Sequence, residues 1–248
     1  QLKEEGYEIE AVQNRGYRLI ASPDLLGESE IKSRLHTRWA GKELIFRPVT
    51  GSTNIDAKAA AEEGAPEGTL VVTEQQEAGR GRRGRGWFSP EGCNLYFTLL
   101  LRPECAPDQA CMLTLVMALA VAGAVRQLGL DAGIKWPNDV VIAGKKVCGI
   151  LTEMSAEPDF IHYVVIGTGV NVNQETFPEE IAGTATSLRI EKGERIKRAE
   201  LLAAVMEHFE RAYETFRASW DLSGLAAEYE SLLLNKDRPV RVLDPKGA

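Results

Sequence analysis

The segment Gly79–Gly86, GRGRRGRG, is the stretch whose composition points most directly to chemistry, since it combines four arginines with four glycines. Glycines let backbone amides turn onto an anion, and arginine offers a planar, charged donor for carboxylate or phosphate. It is not a P-loop, because the GxxxxGK[ST] pattern is absent. A disordered RNA-binding segment is the alternative, but the stretch is short and leads directly into Trp87 and Phe88. We therefore interpret it as an ordered anion-binding loop at the rim of a sheet.

Two further motifs carry polar groups suited to a nucleotide. The segment Lys135–Asp139, KWPND, predicts a turn in which Asn138 offers an amide and Asp139 a carboxylate able to hold Mg²⁺. The segment Gly144–Ile150, GKKVCGI, places Lys146 at the start of a predicted strand, and Gly149 allows close backbone approach. Taken alone, each motif also fits an ordinary hairpin turn or a solvated lysine pair.

The bulk composition confines any basic function to such local motifs. The chain carries 29 Lys and Arg against 36 Asp and Glu, a net charge of -7, which argues against chain-wide binding to nucleic acid or membrane. The longest apolar run, Met112–Val125, is shorter than the ~20 residues that a bilayer needs, so a buried core helix is predicted. Four scattered cysteines indicate reduced thiols, and a cytoplasmic location is expected.

Strands and helices alternate along the chain, which predicts an α/β or α+β fold. Strands are predicted at Glu43–Val49, Gly68–Thr73, Asn94–Leu101, Lys146–Met154 and Phe160–Val172, and helices at Glu28–His36, Thr53–Glu63, Asp108–Leu128, Lys197–Phe216 and Asp221–Leu233.

Both ends of the chain suggest parts of larger units. Tyr7–Val12 and Tyr17–Ile20 predict a small hairpin, which is marginally stable alone and is expected to belong to a larger domain. Pro239–Leu243 predicts a strand that lacks a second strand to pair with.

The order of several motifs resembles the biotin protein ligase family: Ser52-Thr53-Asn54, Gln75–Ala78, the arginine/glycine loop, KWPND, GKKVCGI and Gly167–Asn171. The resemblance runs from about Val49 to the last helices. It implies a mixed β-sheet with helices packed on it, a ligase core like that of class II aminoacyl-tRNA synthetases, over residues 22–234. Residues 1–21 resemble the wing of an N-terminal winged helix-turn-helix domain, and residues 235–248 resemble the start of a C-terminal SH3-like barrel.

The resemblance also implies an activity. Members of the family make biotinyl-5′-AMP and pyrophosphate from biotin and ATP with Mg²⁺, then pass biotin to a lysine of a biotin carboxyl carrier protein. A homodimer is expected, operator DNA is expected to bind only through the N-terminal domain whose recognition helix is absent here, and no membrane partner is expected. The alternative is that the chain serves mainly as the ligand-binding subunit of a biotin-responsive repressor.

Roles follow from the same resemblance. The biotin-binding residues are Ser52, Thr53, Gln76, Gly79, Arg80, Lys146 and Gly149. The nucleotide-binding residues are Arg82, Arg85, Trp87, Asn138, Asp139 and Asn171, with Asp139 also the Mg²⁺ ligand. The catalytic residues are Lys146, Arg82 and Arg85. Structural explanations remain open for three of them: Trp87 as core, Ser52 as a helix N-cap and Asp139 as a turn residue.

Overall fold

A computed structural model describes residues 8–12, 16–21 and 24–239. The strands are β1 Glu8–Val12, β2 Gly16–Ala21, β3 Leu44–Thr50, β4 Leu70–Gln76, β5 Leu95–Leu101, β6 Ala132–Lys135, β7 Asp139–Ile142, β8 Lys145–Glu157 and β9 Phe160–Val170. The helices are α1 Glu28–Lys32, α2 Thr53–Glu62, α3 Pro107–Ala110, α4 Leu113–Gln127, α5 Glu179–Ala182, α6 Leu188–Lys192, α7 Arg198–Arg217 and α8 Ala226–Leu232.

Seven strands form one mixed sheet in the order β3-β4-β5-β9-β8-β7-β6. The β3–β4 pair is parallel because α2 connects the two strands, and the other pairs are antiparallel. The two central strands β5 and β9 are almost completely buried, as their unbroken apolar sequences predict. The predicted mixed sheet is confirmed.

Helices cover both faces of this sheet. Helices α4 and α7 contribute most of the larger core, against inward-facing residues such as Phe97 and Ile166. Helix α2 packs on the opposite face, where Ala57 and Ala61 meet Val71 and Val165 in a smaller cluster. The small side chains of these alanines let α2 lie close to the sheet. The N-terminus of α2 therefore lies against this face of the sheet.

The apolar run that includes Met112–Val125 forms a core helix, as predicted. Ten of the 15 residues of α4 are buried. Within the described part of the chain, the segment Pro107–Gln127 has the length and composition to cross a membrane, but 61% of its most apolar window is buried inside the protein.

Several boundaries differ from the predictions. The helix predicted at Asp108–Leu128 is divided into α3 and α4, and the helix predicted at Glu28–His36 ends at Lys32. The helix predicted from Asp221 begins only at Ala226, and the Asp221 carboxylate accepts the backbone N–H of Ser223 at 2.8 Å in the turn before it. The turn in KWPND was predicted, but the strands β6 and β7 on either side of it were not, because each is only four residues long.

The elements predicted at the two ends of the chain lie partly outside the described residues. β1 and β2 pair antiparallel as a separate two-stranded sheet, which confirms the predicted hairpin apart from Tyr7 and its turn residues 13–15, which lie outside the described residues. The predicted C-terminal strand lies, except for Pro239, outside the described residues.

A buried ion cluster fastens the start of the main domain. The side chain of Arg198, at the first turn of α7, is 2% exposed and donates to Asp24 at 2.9 Å. It also forms a two-pronged pair with Glu74 at 2.5 and 3.1 Å and donates to the Asn94 carbonyl at 3.2 Å. These hydrogen bonds compensate the burial of the Arg198 guanidinium and connect Asp24 to α7 and β4.

A half-buried histidine lies at the contact between the two core helices. The His208 ring of α7 packs against Gly123 of α4, where a Cβ atom would come within 2.7 Å of Nδ1. Burial, together with the Arg211 guanidinium 3.0 Å from Nδ1, lowers the pKa of His208. The folded protein therefore favours the neutral ring.

We expect His208→Gln to weaken the loss of stability in mild acid. The unfolded chain, with an ordinary histidine pKa of about 6.5, takes up a proton before the folded chain does, so stability falls as pH drops through that value. Urea unfolding at about pH 7.5 and 5.5 measures this difference. The variant should lose less stability than wild type, and the exposed His36→Gln should behave as wild type. Equal pH dependence in His208→Gln and wild type contradicts the assignment.

Candidate active site

A pocket opens on the sheet face at the N-terminus of α2, with about 460 Å³ of space when the part open to solvent is included. Its walls come from the start of α2, the end of β4, the arginine/glycine loop, the KWPND turn, and the adjacent strands β8 and β9. The lining residues are Ser52, Thr53, Asn54, Gln76, Arg80, Gly81, Arg82, Trp87, Asn138, Lys146, Gly149, Ile150, Leu151, Gly167, Thr168 and Gly169.

The arginine/glycine loop is a tight hairpin. The backbone N–H of Trp87 donates to the Gly79 carbonyl at 2.8 Å, and the backbone N–H of Gly81 donates to the Arg85 carbonyl at 2.7 Å. At its tip, Arg83 and Gly84 have φ angles of 58° and 73°, the left-handed region that a tight hairpin turn requires. The glycine content thus serves the turn as well as close approach to a ligand.

The loop brings cationic side chains to one side of the pocket. Arg80 and Arg82 line it, and Arg82 donates to the Asn138 side-chain oxygen at 3.1 Å, which joins the loop to the KWPND turn. Asn138 is itself fixed, since its amide donates to the Ile150 carbonyl at 3.1 Å. Arg85 is exposed and lies outside the lining.

The floor of the pocket is built from two glycines. Gly149 of β8 and Gly169 of β9 are direct cross-strand partners. The Trp87 indole lies against both, because Cβ atoms added there would come within 2.8 and 2.4 Å of its ring. Only glycine permits this contact, so the two residues set the depth at which Trp87 lies.

Lys146 extends from β8 toward this floor. Its ammonium is 2.6 Å from an Asp139 carboxylate oxygen and 5.3 Å from the Trp87 ring centroid, a cation–π distance. The β7–β8 turn is fixed by left-handed Ala143 and Gly144, with φ angles of 48° and 80°. Lys145, one residue earlier, is exposed, as strand alternation predicts.

The opposite end of the pocket is neutral and polar. Thr53 N–H donates to the Gln76 side-chain oxygen at 3.0 Å, and the Gln76 amide donates to Ser89 Oγ at 3.0 Å. Ser52 occupies the N-cap position of α2, but its hydroxyl makes no capping hydrogen bond. This end offers uncharged donors and acceptors, while the other end offers positive charge.

Nine of the predicted site residues line the pocket, and four do not. Gly79 lies against the Trp87 backbone carbonyl and Ser89, Asp139 pairs with Lys146, and Arg85 is exposed. Asn171 is 4% exposed, and its amide donates to the Thr186 carbonyl at 3.1 Å. The roles assigned to all thirteen stay predictions.

Asn54, Gly167 and Gly169 line the pocket although no role was assigned to them. The available signal was their place in the motifs Ser52-Thr53-Asn54 and Gly167–Asn171. Within the described residues, no group of three or more His, Cys, Asp or Glu side chains is placed to hold a metal ion. Burial raises the pKa of Cys148, so this thiol is kept neutral.

The fold and the pocket together define a small-ligand site that combines a neutral polar end with a cationic end. The biotin/lipoate A/B protein ligase family model matches residues 47–171. The chain is 47% identical over 219 residues to the Bacillus spizizenii bifunctional ligase/repressor BirA, covering 87% of this chain and 67% of that protein. It is 35% identical to the Mycobacterium tuberculosis biotin--[acetyl-CoA-carboxylase] ligase, covering 90% of this chain and 83% of that one.

Among solved structures, the Aquifex aeolicus biotin protein ligase in complex with biotin and ATP matches with a TM-score of 0.68 and 34% identity, covering 78% of this chain and 79% of that chain. The chain belongs to the biotin/lipoate A/B protein ligase family.

Proposed function

We propose that the protein is a biotin protein ligase, which makes biotinyl-5′-AMP from biotin and ATP and then passes the biotinyl group to a lysine of a biotin carboxyl carrier protein. The observation that supports this most is the pocket itself, with Ser52, Thr53 and Gln76 at its neutral end and Arg82 and Lys146 at its cationic end. The relatives named above support this proposal.

The neutral end suits the ureido ring of biotin. That ring carries two N–H donors and one carbonyl acceptor but no charge, so it needs matched polar partners in an otherwise apolar pocket. The Gln76 amide and the hydroxyls of Ser52 and Thr53 supply such partners, and the glycine floor with Trp87 supplies an apolar surface.

The cationic end suits the reaction. The biotin carboxylate attacks the α-phosphorus of ATP, a carbonyl-O–P bond forms, and the P–O bond to pyrophosphate breaks. Two anions repel each other on approach, and Lys146 and Arg82 reduce that repulsion. Arg85 is proposed to join them, which requires its exposed side chain to turn into the pocket. A loop folded over the site also excludes water, which would hydrolyse the mixed anhydride.

The second step needs less from the pocket. The carrier lysine, as a neutral amine, attacks the acyl carbon, and the bond from that carbon to the phosphate oxygen breaks, so AMP leaves with the bonding electrons. The nitrogen loses a proton to solvent as the amide forms. Trp87, Asn138 and Asn171 are proposed for the nucleotide; for Asn171 this requires its buried amide to be released from Thr186.

Mg²⁺ fits this site as an ion held mainly by the substrate. Asp139 is the carboxylate beside Lys146, and Mg²⁺ in nucleotide sites commonly uses one or two carboxylates plus phosphate oxygens. When bound, the ion neutralises phosphate charge. Biotin-dependent pyrophosphate release from ATP tests the adenylation step of the proposal; no release, or release that does not depend on biotin, contradicts it.

A free strand edge supports a homodimer. β9 pairs with β8 from Cys148 to Glu157, whereas β7 pairs only with Lys145–Gly149. Beyond Ile150, no strand among the described residues covers that edge of β8. Met154 on this edge is 42% exposed, and such an edge readily pairs with a second copy.

We expect the wild-type protein to form dimers that Met154→Asp weakens at least tenfold, because a charge on a pairing edge blocks association. Sedimentation at micromolar concentration, with and without biotin and ATP, measures this. Val49→Asp is the matched control, since Val49 is 45% exposed on the outer strand β3 of the same sheet. Wild-type monomers under both conditions, or equal effects of the two variants, refute the edge-to-edge dimer.

A repressor role is the second candidate, favoured by the name of the Bacillus relative and by the β1–β2 hairpin. Residues 1–21 are proposed as the wing of a DNA-binding domain, residues 22–234 as the ligase core, and residues 235–248 as the start of an SH3-like barrel. A cytoplasmic location accompanies this proposal, with operator DNA bound through the complete N-terminal domain.

A further inference from the structure

A carboxylate outside the pocket lining contacts the polar end of the site. Glu153, on β8, accepts from the Asn54 amide at 2.7 Å with one oxygen and from the Lys58 ammonium at 2.6 Å with the other. Asn54 and Lys58 both lie on α2, so the carboxylate joins β8 to the helix whose N-terminus forms the pocket.

This contact fixes the orientation of the Asn54 side chain. Its Nδ2 faces Glu153 and also the Leu151 carbonyl at 3.3 Å, and both groups can only accept hydrogen bonds. Oδ1 must therefore face the other way, where Thr98 Oγ1 lies 2.7 Å from it. Asn54 is 4% exposed and lies directly over Gly167, so water cannot take over these contacts.

The orientation of Asn54 then determines the direction of the next hydrogen bonds. Thr98 has a single hydroxyl proton, which Asn54 Oδ1 takes, so its oxygen is free to accept from Thr53 Oγ1, 2.8 Å away. The Gln76 side-chain oxygen, 3.2 Å from Thr53 Oγ1, is the more distant acceptor for the same Thr53 proton. With its proton directed at Thr98, Thr53 presents oxygen lone pairs to the pocket. Both threonines are buried, at 0% and 3% exposure.

Gln76 lies next to this chain at the ligand side and is oriented by the Thr53 backbone. Its side-chain oxygen accepts from Thr53 N–H, so its NH₂ faces Ser89 and the pocket. One N–H bonds Ser89, and the second is available to a ligand. The pocket therefore offers an acceptor at Thr53 next to a donor at Gln76, which matches a ureido N–H next to a ureido carbonyl.

We propose that Glu153 is a positioning residue for biotin: its ionised carboxylate sets the donor–acceptor direction of the chain Asn54–Thr98–Thr53, beside the Gln76 amide that the Thr53 backbone N–H orients. This inference rests on the proposed function, since it takes biotin as the ligand. Glu153 lies at one end of this chain of hydrogen bonds, and its ionised carboxylate can only accept hydrogen bonds. Burial alone would raise the pKa of Glu153, but hydrogen bonds from Lys58 and Asn54 outweigh it and hold that pKa below its usual value.

The test is a set of calorimetric titrations with biotin. Glu153→Gln cannot accept from both Lys58 and Asn54, because one end of its amide is a donor; we expect biotin affinity to fall about tenfold. Asn54→Asp places a second carboxylate beside Glu153 and should weaken binding at least as much. When both substitutions are combined, the new amide on β8 donates to the new carboxylate on α2, which still accepts from Thr98. Affinity in this double variant should therefore return to within about threefold of wild type.

Two measurements separate positioning from a structural effect. Glu62, like Asn54, lies on α2, but its carboxylate does not line the pocket and accepts from the Tyr163 hydroxyl at a distance of 3.2 Å. The Glu62→Gln variant should therefore bind biotin as wild type does. In Glu153→Gln, KM for biotin should rise while kcat stays within about twofold, because the reacting atoms are untouched.

The outcomes are distinct. If wild type binds biotin and Glu153→Gln binds equally well, or if the losses in the two single variants simply add in the double variant, the inference is overturned while the proposed function stands. If wild type binds no biotin, the proposed function fails, and the inference fails with it.

Discussion

Replacing Lys146 by alanine is expected to slow biotin-dependent pyrophosphate release by roughly two or more orders of magnitude. The ammonium lies in the pocket at the end of a rigid strand, where the proposed reaction brings a carboxylate and a phosphate together. At an effective dielectric of about 20, the repulsion between two such charges is several kcal/mol. In the wild-type protein the Asp139 carboxylate lies 2.6 Å from this ammonium. The substitution leaves that carboxylate without its partner, so an uncompensated negative charge lies next to the two reacting anions.

Lys145→Ala provides the internal control, because Lys145 is exposed and points away from the pocket. It should release pyrophosphate at a rate within about twofold of wild type, measured at saturating biotin and ATP. If Lys145→Ala proves the slower variant, the assignment of Lys146 is wrong.

Gly169→Ala is expected to weaken biotin binding roughly 10- to 100-fold. The added methyl would lie 2.4 Å from the Trp87 indole nitrogen, so the ring must move off the floor by about an ångström to reach van der Waals distance. Overpacking of this kind costs about 1–3 kcal/mol, and here it also displaces the surface on which the ligand is proposed to lie. Equilibrium binding of biotin measures the effect.

Gly183→Ala is the matched control for that substitution. Gly183 ends α5 with a φ angle of -74°, and a Cβ atom there meets nothing within 4 Å. Its biotin affinity should equal that of wild type. A Gly169→Ala protein that binds biotin as tightly as Gly183→Ala would show that the glycine floor does not control the pocket.

The sequence was most informative where a motif combines unusual residues in a short span. The family resemblance carried by the arginine/glycine loop and KWPND assigned Arg80, Arg82 and Asn138 to one site, and in the structure all three line the same pocket. Strand alternation separated Lys145 from Lys146, because a period of two needs no tertiary information.

The sequence was least informative where the site depends on contacts between distant strands. Glu153 is 99 residues from Asn54, and nothing in its neighbours distinguishes it from a solvated glutamate. The pairing of Gly149 with Gly169 depends on the register of β8 and β9, which sequence alone does not determine. Asn171 directly follows β9, and its amide donates to the Thr186 carbonyl, a contact between distant segments that sequence alone does not predict.

The most direct test of the ligase proposal is the mass of a purified biotin carboxyl carrier domain after incubation with this protein, biotin, ATP and Mg²⁺. We predict that the carrier gains one biotinyl group on a single lysine, that AMP and pyrophosphate form in equal amounts, and that a carrier with that lysine changed to arginine gains none. A carrier whose mass stays unchanged, under conditions in which the protein is folded and binds biotin, would contradict the account.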